Sequence, residues 1–329
     1  MKIGLTYDLR DDSAPPDDAP EDAFAEFDAA ETIDALDAAL ASGGHQVERI
    51  GSARQLAGFL AAGQTVDLVY NIAEGIHGRS REALVPAILE AFDIPYTFSD
   101  PLTLALCLDK AMVKRVWCQA GLPTPAWWLI PDMAALDVAA GSLPDGPLFV
   151  KPAHEGSSKG IRHESLVETE AALREQVAVV LNMYRQPALI EPFLPGCEFT
   201  IAVWGNGDTA RVLGMAEITE VKVARLSGYV EKEHWQTLYP DTFHRVAPGA
   251  LRDTLGDLAL RAYHVVGCRD LGRIDIRLDE QDRPQLLEIN PLPGLHPTQS
   301  ALPIISRWAG VSFEQLVIHV VDFATRRLA

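Results

Sequence analysis

The residues best suited to chemistry lie together in Gly272–Pro303, GRIDIRLDEQDRPQLLEINPLPGLHPTQSALP. Arg273, Asp275 and Glu288 stand among apolar residues, and Asn290 follows two positions after Glu288. The runs Ile274–Leu278 and Gln285–Ile289 are short and apolar, and a turn-prone Asp-Glu-Gln-Asp-Arg-Pro stretch separates them, which predicts a hairpin. Strand side chains alternate with period two, so Asp275, Glu288 and Asn290 can converge on one face. Two carboxylates and an amide oxygen are hard donors of the kind that hold Mg²⁺, an ion that usually also contacts phosphate. Taken alone, either carboxylate could equally serve a structural salt bridge. The Asn-Pro-Leu-Pro-Gly tail that follows constrains the loop and points to a shaped site.

Two upstream segments carry complementary groups. Leu148–Ile161, LFVKPAHEGSSKGI, reads as an apolar strand, then Lys151-Pro152, then a loop rich in Gly and Ser. Such loops can present backbone N–H groups to phosphate oxygens, and a lysine beside them adds positive charge. The order G-x-x-x-x-G-K-[ST] of a P-loop is absent. Leu189–Ala202, LIEPFLPGCEFTIA, runs as a strand into Glu191, then a Pro/Gly turn, then Glu198 and another strand.

In this order the segments resemble the ATP-grasp superfamily, and within it the D-alanine–D-alanine ligase family. The resemblance covers about Asn71 to Pro303. It rests on K-P-x-x-E-G-S-S-x-G (Lys151–Gly160), E-P-F-L-P-G-x-E-F-T (Glu191–Thr200), G-R-I-D (Gly272–Asp275) and E-x-N-x-x-P-G (Glu288–Gly294). Asp109-Lys110, followed by an amphipathic stretch and Gly-Leu-Pro-Thr-Pro from Gly121, matches the family's D-K…G-[LV]-P-x-P. His77-Gly78-Arg79 with Glu82 resembles H-G-x-x-G-E-D-G, except that Arg81 and Ala83-Leu84 replace the glycine before the glutamate and the Asp-Gly after it.

The resemblance implies an ATP-grasp fold: an N-terminal parallel α/β domain (1–109), then two α+β subdomains (110–197 and 198–329) that clasp ATP. It implies a carboxylate–amine ligase that joins two amino acids through an acyl phosphate, supplying a cell-wall peptidoglycan precursor. The implied cofactors are ATP and two Mg²⁺ ions, with Mn²⁺ able to substitute. Lys110 and Lys151 would hold the phosphates, within a nucleotide set that includes Glu155 and Ser158. Glu191, Phe193 and Leu194 would border the adenine, and Glu198 would take the ribose hydroxyls. Asp275, Glu288 and Asn290 would hold the metal ions. Arg273 and the Gly294 amide would stabilise the oxyanion, with Ser157 and Lys232 on loops that close the site. Ser300 and the Leu302 region would bind the second substrate's carboxylate, His77 would lie near the first substrate, and Glu26 matches the glutamate that holds its ammonium.

Blander readings exist for several of these residues. His77 could pair with Glu74 or Glu82, Lys110 could be an ordinary helix-start lysine, and Glu26 reads as a solvated helix residue. Trp127-Trp128 read as core or hinge packing. Glu217–Pro240 departs most from the family. Tyr229, Glu231 and Lys232 resemble the start of its closing loop, but Glu233 stands where a tyrosine belongs, followed by His234 and Trp235. That departure points to a larger or more basic amino acid in place of one D-alanine. The alternatives are a dipeptide ligase for other amino acids and a nucleotide-binding homologue without ligase activity.

Composition fits this class. A chain of 329 residues can bury a large core and divide into two or three domains. The net charge of -18 repels a phosphate backbone, which argues against a nucleic-acid partner. The four cysteines are scattered without C-x-x-C spacing and read as reduced thiols of a cytoplasmic protein. No apolar run approaches the roughly 20 residues of a membrane span, and Asp8 ends the first apolar run too early for a signal peptide. Small-molecule amino acids are the expected partners, with a homodimer as a compatible assembly.

Alternation of elements predicts a parallel sheet at the start of the chain. The expected strands are Lys2–Tyr7, Val47–Ile50 and Val66–Ile72. The expected helices are Ala23–Ser42, Arg81–Phe92, Lys110–Ala120 and Glu168–Leu181, with a last helix after Ser312 and a mobile acidic loop over Arg10–Asp22.

Overall fold

The computed structural model describes residues 1–10, 20–218 and 242–327. Three sheets organise them. The first is parallel, in the order β2-β1-β3, formed by β1 (Lys2–Thr6), β2 (Gln46–Gly51) and β3 (Leu68–Asn71). Helices α1 (Ala30–Ser42), α2 (Ala53–Ala61), α3 (Leu84–Ala91) and α4 (Pro101–Leu108) accompany it. The Ser52 and Gln55 pair forms a capping box that starts α2. The expected strands are present, whereas α2 and α4 were not anticipated.

Helix α5 (Lys110–Gln119) leads to the second sheet. Asp109 caps it by accepting a hydrogen bond from the Met112 N–H at 3.0 Å. That sheet is antiparallel, ordered β4-β7-β5-β6, from β4 (Trp128–Ile130), β5 (Leu148–Pro152), β6 (Leu166–Val167) and β7 (Ala188–Pro192). Helices α6 (Met133–Ala139) and α7 (Glu170–Val179) cover one face, where Val150, Ile190, Leu136, Leu173 and Val177 form a core. The third sheet is antiparallel, ordered β10-β9-β8-β11-β12, from β8 (Glu198–Trp204), β9 (Arg211–Ile218), β10 (Phe243–Arg245), β11 (Leu271–Leu278) and β12 (Pro284–Asn290). Helix α8 (Ala250–Val265) packs beneath it through Leu255, Leu258, Ala259, Ala262 and Tyr263.

The chain ends with α9 (Ala301–Trp308) and α10 (Phe313–Arg326). Both return to the first sheet: Leu302, Ile305, Leu316, Val317 and Val320 share a core with Ile3, Leu5, Leu36 and Leu40. The two ends of the chain are thereby joined by apolar burial, the main favourable force in folding.

Three expectations need correction. The first helix starts at Ala30 instead of Ala23. Leu9 and Asp28 form a parallel bridge, and the Asp28 N–H donates to the Asp8 carbonyl at 3.0 Å, which draws that backbone out of a helix. The segment Arg81–Phe92 divides into a short 3-10 turn, Arg81–Ala83, and α3, with Pro86 inside the first turn of α3 where proline is tolerated. Asp22, at the edge of the acidic loop, is buried and accepts hydrogen bonds from the Gly160 N–H at 2.7 Å and the Tyr184 hydroxyl at 3.0 Å. Residues 11–19 of that loop lie outside the described residues.

Candidate active site

The hairpin read from the sequence is β11–β12, and its register explains the convergence. Asp275 pairs directly with Glu288 and Arg273 with Asn290, and a bulge follows between Asp275 and Ile276. All four side chains therefore share one face. Ile274, Ile276, Leu286 and Ile289 turn the other way, into the core beneath α8. The connecting turn is closed by Asp279, whose carboxylate accepts from the Gln281 and Arg283 amides, each at 2.9 Å.

Like charges directly opposite across a strand pair are destabilising unless a cation intervenes. Here Arg273 Nη2 lies 2.9 Å from Asp275 and 3.5 Å from Glu288, and Lys110 Nζ lies 3.1 Å from Glu288. Burial would raise the Glu288 carboxyl, but Lys110, Arg273 and Lys151 outweigh it and hold that group well below the usual carboxylate range. Asp275 ends raised, because burial and the Glu288 charge together exceed the pull of Arg273.

Lys110 opens α5, and its Nζ also donates to the Glu155 carbonyl on the Gly/Ser loop. Lys151 and Glu191 come from the paired strands β5 and β7, on the face away from that sheet's core. Their contact is 2.6 Å, and Lys114 Nζ takes the other Glu191 oxygen at 2.6 Å. Lys114 is fully buried and also donates to the Thr124 hydroxyl at 2.7 Å. Burial lowers its pKa to about 8, with Glu191 opposing. Sequence reasoning missed Lys114; its signal is the one-turn spacing from Lys110 on the same helix. Arg277 was missed too, although it continues the period-two row of Arg273 and Asp275. Its Nη1 lies 3.1 Å from Glu198, and its guanidinium stacks over Phe193 at 5.0 Å.

The Gly/Ser loop turns through two left-handed serines, Ser157 (φ 48°) and Ser158 (φ 60°), before Gly160 (φ 76°). A Cβ at Gly160 would stand 2.3 Å from Pro152, so glycine is required there. Glu26 ties the front of the loop by accepting from the Gly156 N–H at 2.6 Å. The Glu26 side chain is 4 % exposed, which corrects its reading as a solvated helix residue. Arg81 Nη2 lies 2.7 Å from both of its oxygens and 3.1 Å from Glu155, while Arg81 Nη1 donates to the His154 carbonyl at 2.8 Å.

These groups face one cleft of about 540 Å³, lined by Lys151, Ser157, Ser158, Glu191, Phe193, Leu194, Glu198, Arg273, Asp275, Glu288, Gly294 and Ser300. A smaller chamber of about 70 Å³ continues inward past Ser157, Gly294, Asn290, Glu155 and Lys110. Ser300 caps α9 and accepts from the His296 N–H at 3.0 Å. His77 is exposed and lines neither cavity; no hydrogen bond or ion pair joins it to Glu74 or Glu82. Tyr229, Glu231, Lys232, Glu233, His234 and Trp235 lie outside the described residues. Trp128 stands in β4 and donates to Ser142 at 3.0 Å, as befits packing.

Asp275, Glu288 and Asn290 fit Mg²⁺ as a donor set. They offer two carboxylates and an amide oxygen beside a lysine-lined cleft, and Mg²⁺ uses one or two protein carboxylates with phosphate and water completing its shell. Among the described residues no group of three His, Cys, Asp or Glu side chains gathers at metal-binding spacing.

Residues 116–322 match the family described as the D-ala D-ala ligase C-terminus. The D-alanine–D-alanine ligase of Bordetella petrii is 35% identical over 275 residues, covering 82% of this chain and 79% of the relative. An uncharacterized protein of Sinorhizobium fredii is 34% identical over 274 residues, covering 80% and 76%. In three dimensions the D-alanine–D-alanine ligase of Bacillus anthracis superposes with a TM-score of 0.75 at 19% identity, over 99% of this chain and 98% of that one. Its structure complexed with ATP gives a TM-score of 0.73 at 19% identity, with the same coverage. The fold is therefore that of the ATP-grasp ligases: a parallel α/β unit followed by antiparallel α+β sheets.

Proposed function

The chain belongs to the D-alanine–D-alanine ligase family, and we propose that its cleft joins two D-alanines in an ATP-dependent, ADP-forming ligation. The relatives favour this reading over a ligase for other amino acids or an inactive homologue. The observation that carries it is the meeting of the β11–β12 carboxylates with Lys151 and Arg273 at the cleft and with Lys110 at the chamber beside it. A ligase needs cations against phosphate and hard oxygen donors for a metal at the same place.

ATP supplies the phosphoryl group that activates a carboxylate for attack by an amine. Lys151 and Lys110 bind the phosphates, with Glu191 fixing Lys151 and the Glu155 carbonyl fixing Lys110. Phe193, Leu194 and Glu191 receive the base, and Glu198, steadied by Arg277, receives the ribose. Asp275, Glu288 and Asn290 would hold Mg²⁺, which would offset charge on the transferring group. Arg273 and the Gly294 N–H face the oxyanion formed on attack. Ser157 and Ser158 cover the phosphates and the first substrate, and Ser300 takes the carboxylate of the second. The proposed domains are 1–109, 110–197 and 198–329. ATP consumption and reduced thiols suit a cytoplasmic location.

Measuring ADP and phosphate release over pairs of D- and L-amino acids tests the proposal. Release selective for two D-alanines, with D-alanyl-D-alanine recovered, is expected. Release only with other amino acids, or none with any pair, would overturn it.

A further inference from the structure

Amide formation consumes a neutral amine, yet an amino acid carries its nitrogen as an ammonium near neutral pH. The second amino acid must lose a proton before it attacks, and that proton needs an acceptor at the point of attack. The wide cleft and the inner chamber meet at a throat. Glu26, Asp28, Ser157, Arg273, Glu288 and Gly294 line both cavities and so mark it. Three of the six are carboxylates, and two of those are committed. Glu288 has Lys110 at 3.1 Å and Arg273 at 3.5 Å, and Glu26 has Arg81 at 2.7 Å. Burial presses the Glu26 carboxyl upward, but Arg81 and Lys159 outweigh it and hold that group below its ordinary value. Asp28 differs. Its side chain makes no hydrogen bond or ion pair with any described residue.

Resting on the ligase reading, we infer that Asp28 is the general base that takes a proton from the ammonium of the second amino acid. Its backbone is fixed while its carboxylate is not. The Asp28 N–H donates to the Asp8 carbonyl, the bridge to Leu9 holds the same stretch, and α1 starts two residues on. Ser300, which takes the second carboxylate, lines the cleft and not the chamber, whereas Lys110 and Asn290 line the chamber and not the cleft. An amino acid anchored at Ser300 and reaching inward brings its nitrogen to the throat. There Asp28 stands with Arg273 and Gly294, the groups that face the oxyanion. The Asp28 carboxylate takes one proton, and the lone pair so freed forms the C–N bond at the acyl carbon. The tetrahedral oxyanion collapses, the bond from carbon to the phosphate oxygen breaks, and phosphate leaves with the second proton of the nitrogen. Asp28 then returns its own proton to solvent through the cleft. Burial raises the Asp28 carboxyl to about 7 against the pull of Arg10, and Asp8 adds to the rise. Arg10 itself donates to the Phe27 carbonyl at 3.3 Å. Glu74 faces Asp28 from beyond β3, and Glu26, Arg273 and Glu288 share the throat with it. A base is most effective when its pKa lies near the operating pH.

Two acceptors of the acyl group test this on the full chain. Hydroxylamine is already neutral at neutral pH and needs no base. ATP, D-alanine and hydroxylamine should therefore give the hydroxamate at similar rates in the native protein and in Asp28→Asn, with the same ATP affinity. With a second D-alanine as acceptor, Asp28→Asn should lose about 100-fold to 10,000-fold in kcat, the range for general acid–base catalysis, and Asp28→Glu should recover part of it. Dipeptide kcat of the native protein should rise with pH through about 7, as Asp28 loses its proton, and Asp28→Asn should lack that limb. Native dipeptide kcat in Asp28→Asn, hydroxamate lost in step with dipeptide, or a change confined to the KM of the second D-alanine would each overturn the inference and leave the ligase reading standing. Neither hydroxamate nor dipeptide from the native protein would overturn the ligase reading, and the inference with it.

Discussion

Asp275 and Glu288 stand directly opposite each other across β11 and β12, two carboxylates held on one face by Arg273 and Lys110. The two carboxyls are pushed in opposite directions. Glu288 is driven well toward its ionised form by three cations, while burial and Glu288 itself press Asp275 upward. Removing the Glu288 charge should relieve that pressure and leave the hairpin folded, while depriving Mg²⁺ of a charged ligand. Glu288→Gln should therefore abolish ADP production with little change in Tm. Near-native turnover at saturating Mg²⁺ would remove Glu288 from the metal site.

The nucleotide assignment has a separate test. Lys151 is 6 % exposed, and its pKa ends above the ordinary value because Glu191 and Glu288 outweigh the effect of burial. It remains charged in the cleft. Lys151→Ala should weaken ATP binding by about 1.5–3 kcal/mol, the range for a charge-assisted contact. Calorimetry that finds the same ATP affinity in variant and native protein would exclude Lys151 from phosphate binding.

How much of this was legible depends on the range of each contact. The β11–β12 face could be read because period-two alternation is local and its turn residues are explicit. The same row continues to Arg277, but an arginine at a strand end carries no sequence mark of its stacking on Phe193. Helix α8 escaped notice even though its apolar residues face the third sheet. Glu26 could not be judged from its neighbours: its burial depends on Arg81, which lies 55 positions away. The replacement of a family glycine by Arg81 was visible, but its consequence was not, since only the folded chain brings that guanidinium to Glu26.

Lys114 offers a stability test. It is fully buried between Glu191 and Thr124, in a place where a lone ammonium would be expensive. Lys114→Met keeps the side-chain volume and leaves Glu191 to Lys151 alone. The loss should stay below the roughly 3–5 kcal/mol of a fully broken buried pair, because one cation remains. Denaturant unfolding measures it. A loss at or above that range would mean that Lys151 does not compensate for Lys114.

The last expectation concerns pH. The Glu82 carboxyl is raised by burial from an ordinary 4.5 to about 8 in the folded protein. Between those values the folded state keeps a proton that the unfolded chain releases. The stability from this group is thus fully present below about pH 4.5 and is lost as pH rises through about 8. Glutamine has no proton to release, so Glu82→Gln removes this dependence. The unfolding free energy of the variant should gain on the native protein steadily from about pH 5 to about pH 9, by on the order of a few kcal/mol at most, and its Tm should rise in step. Asp28, raised in the same sense, remains in both proteins and cancels, whereas Glu74, raised in part by the Glu82 charge, is relieved in the variant and moves the comparison the same way. A Tm difference that stays flat across this range would mean that Glu82 is ionised and already paired in the folded protein.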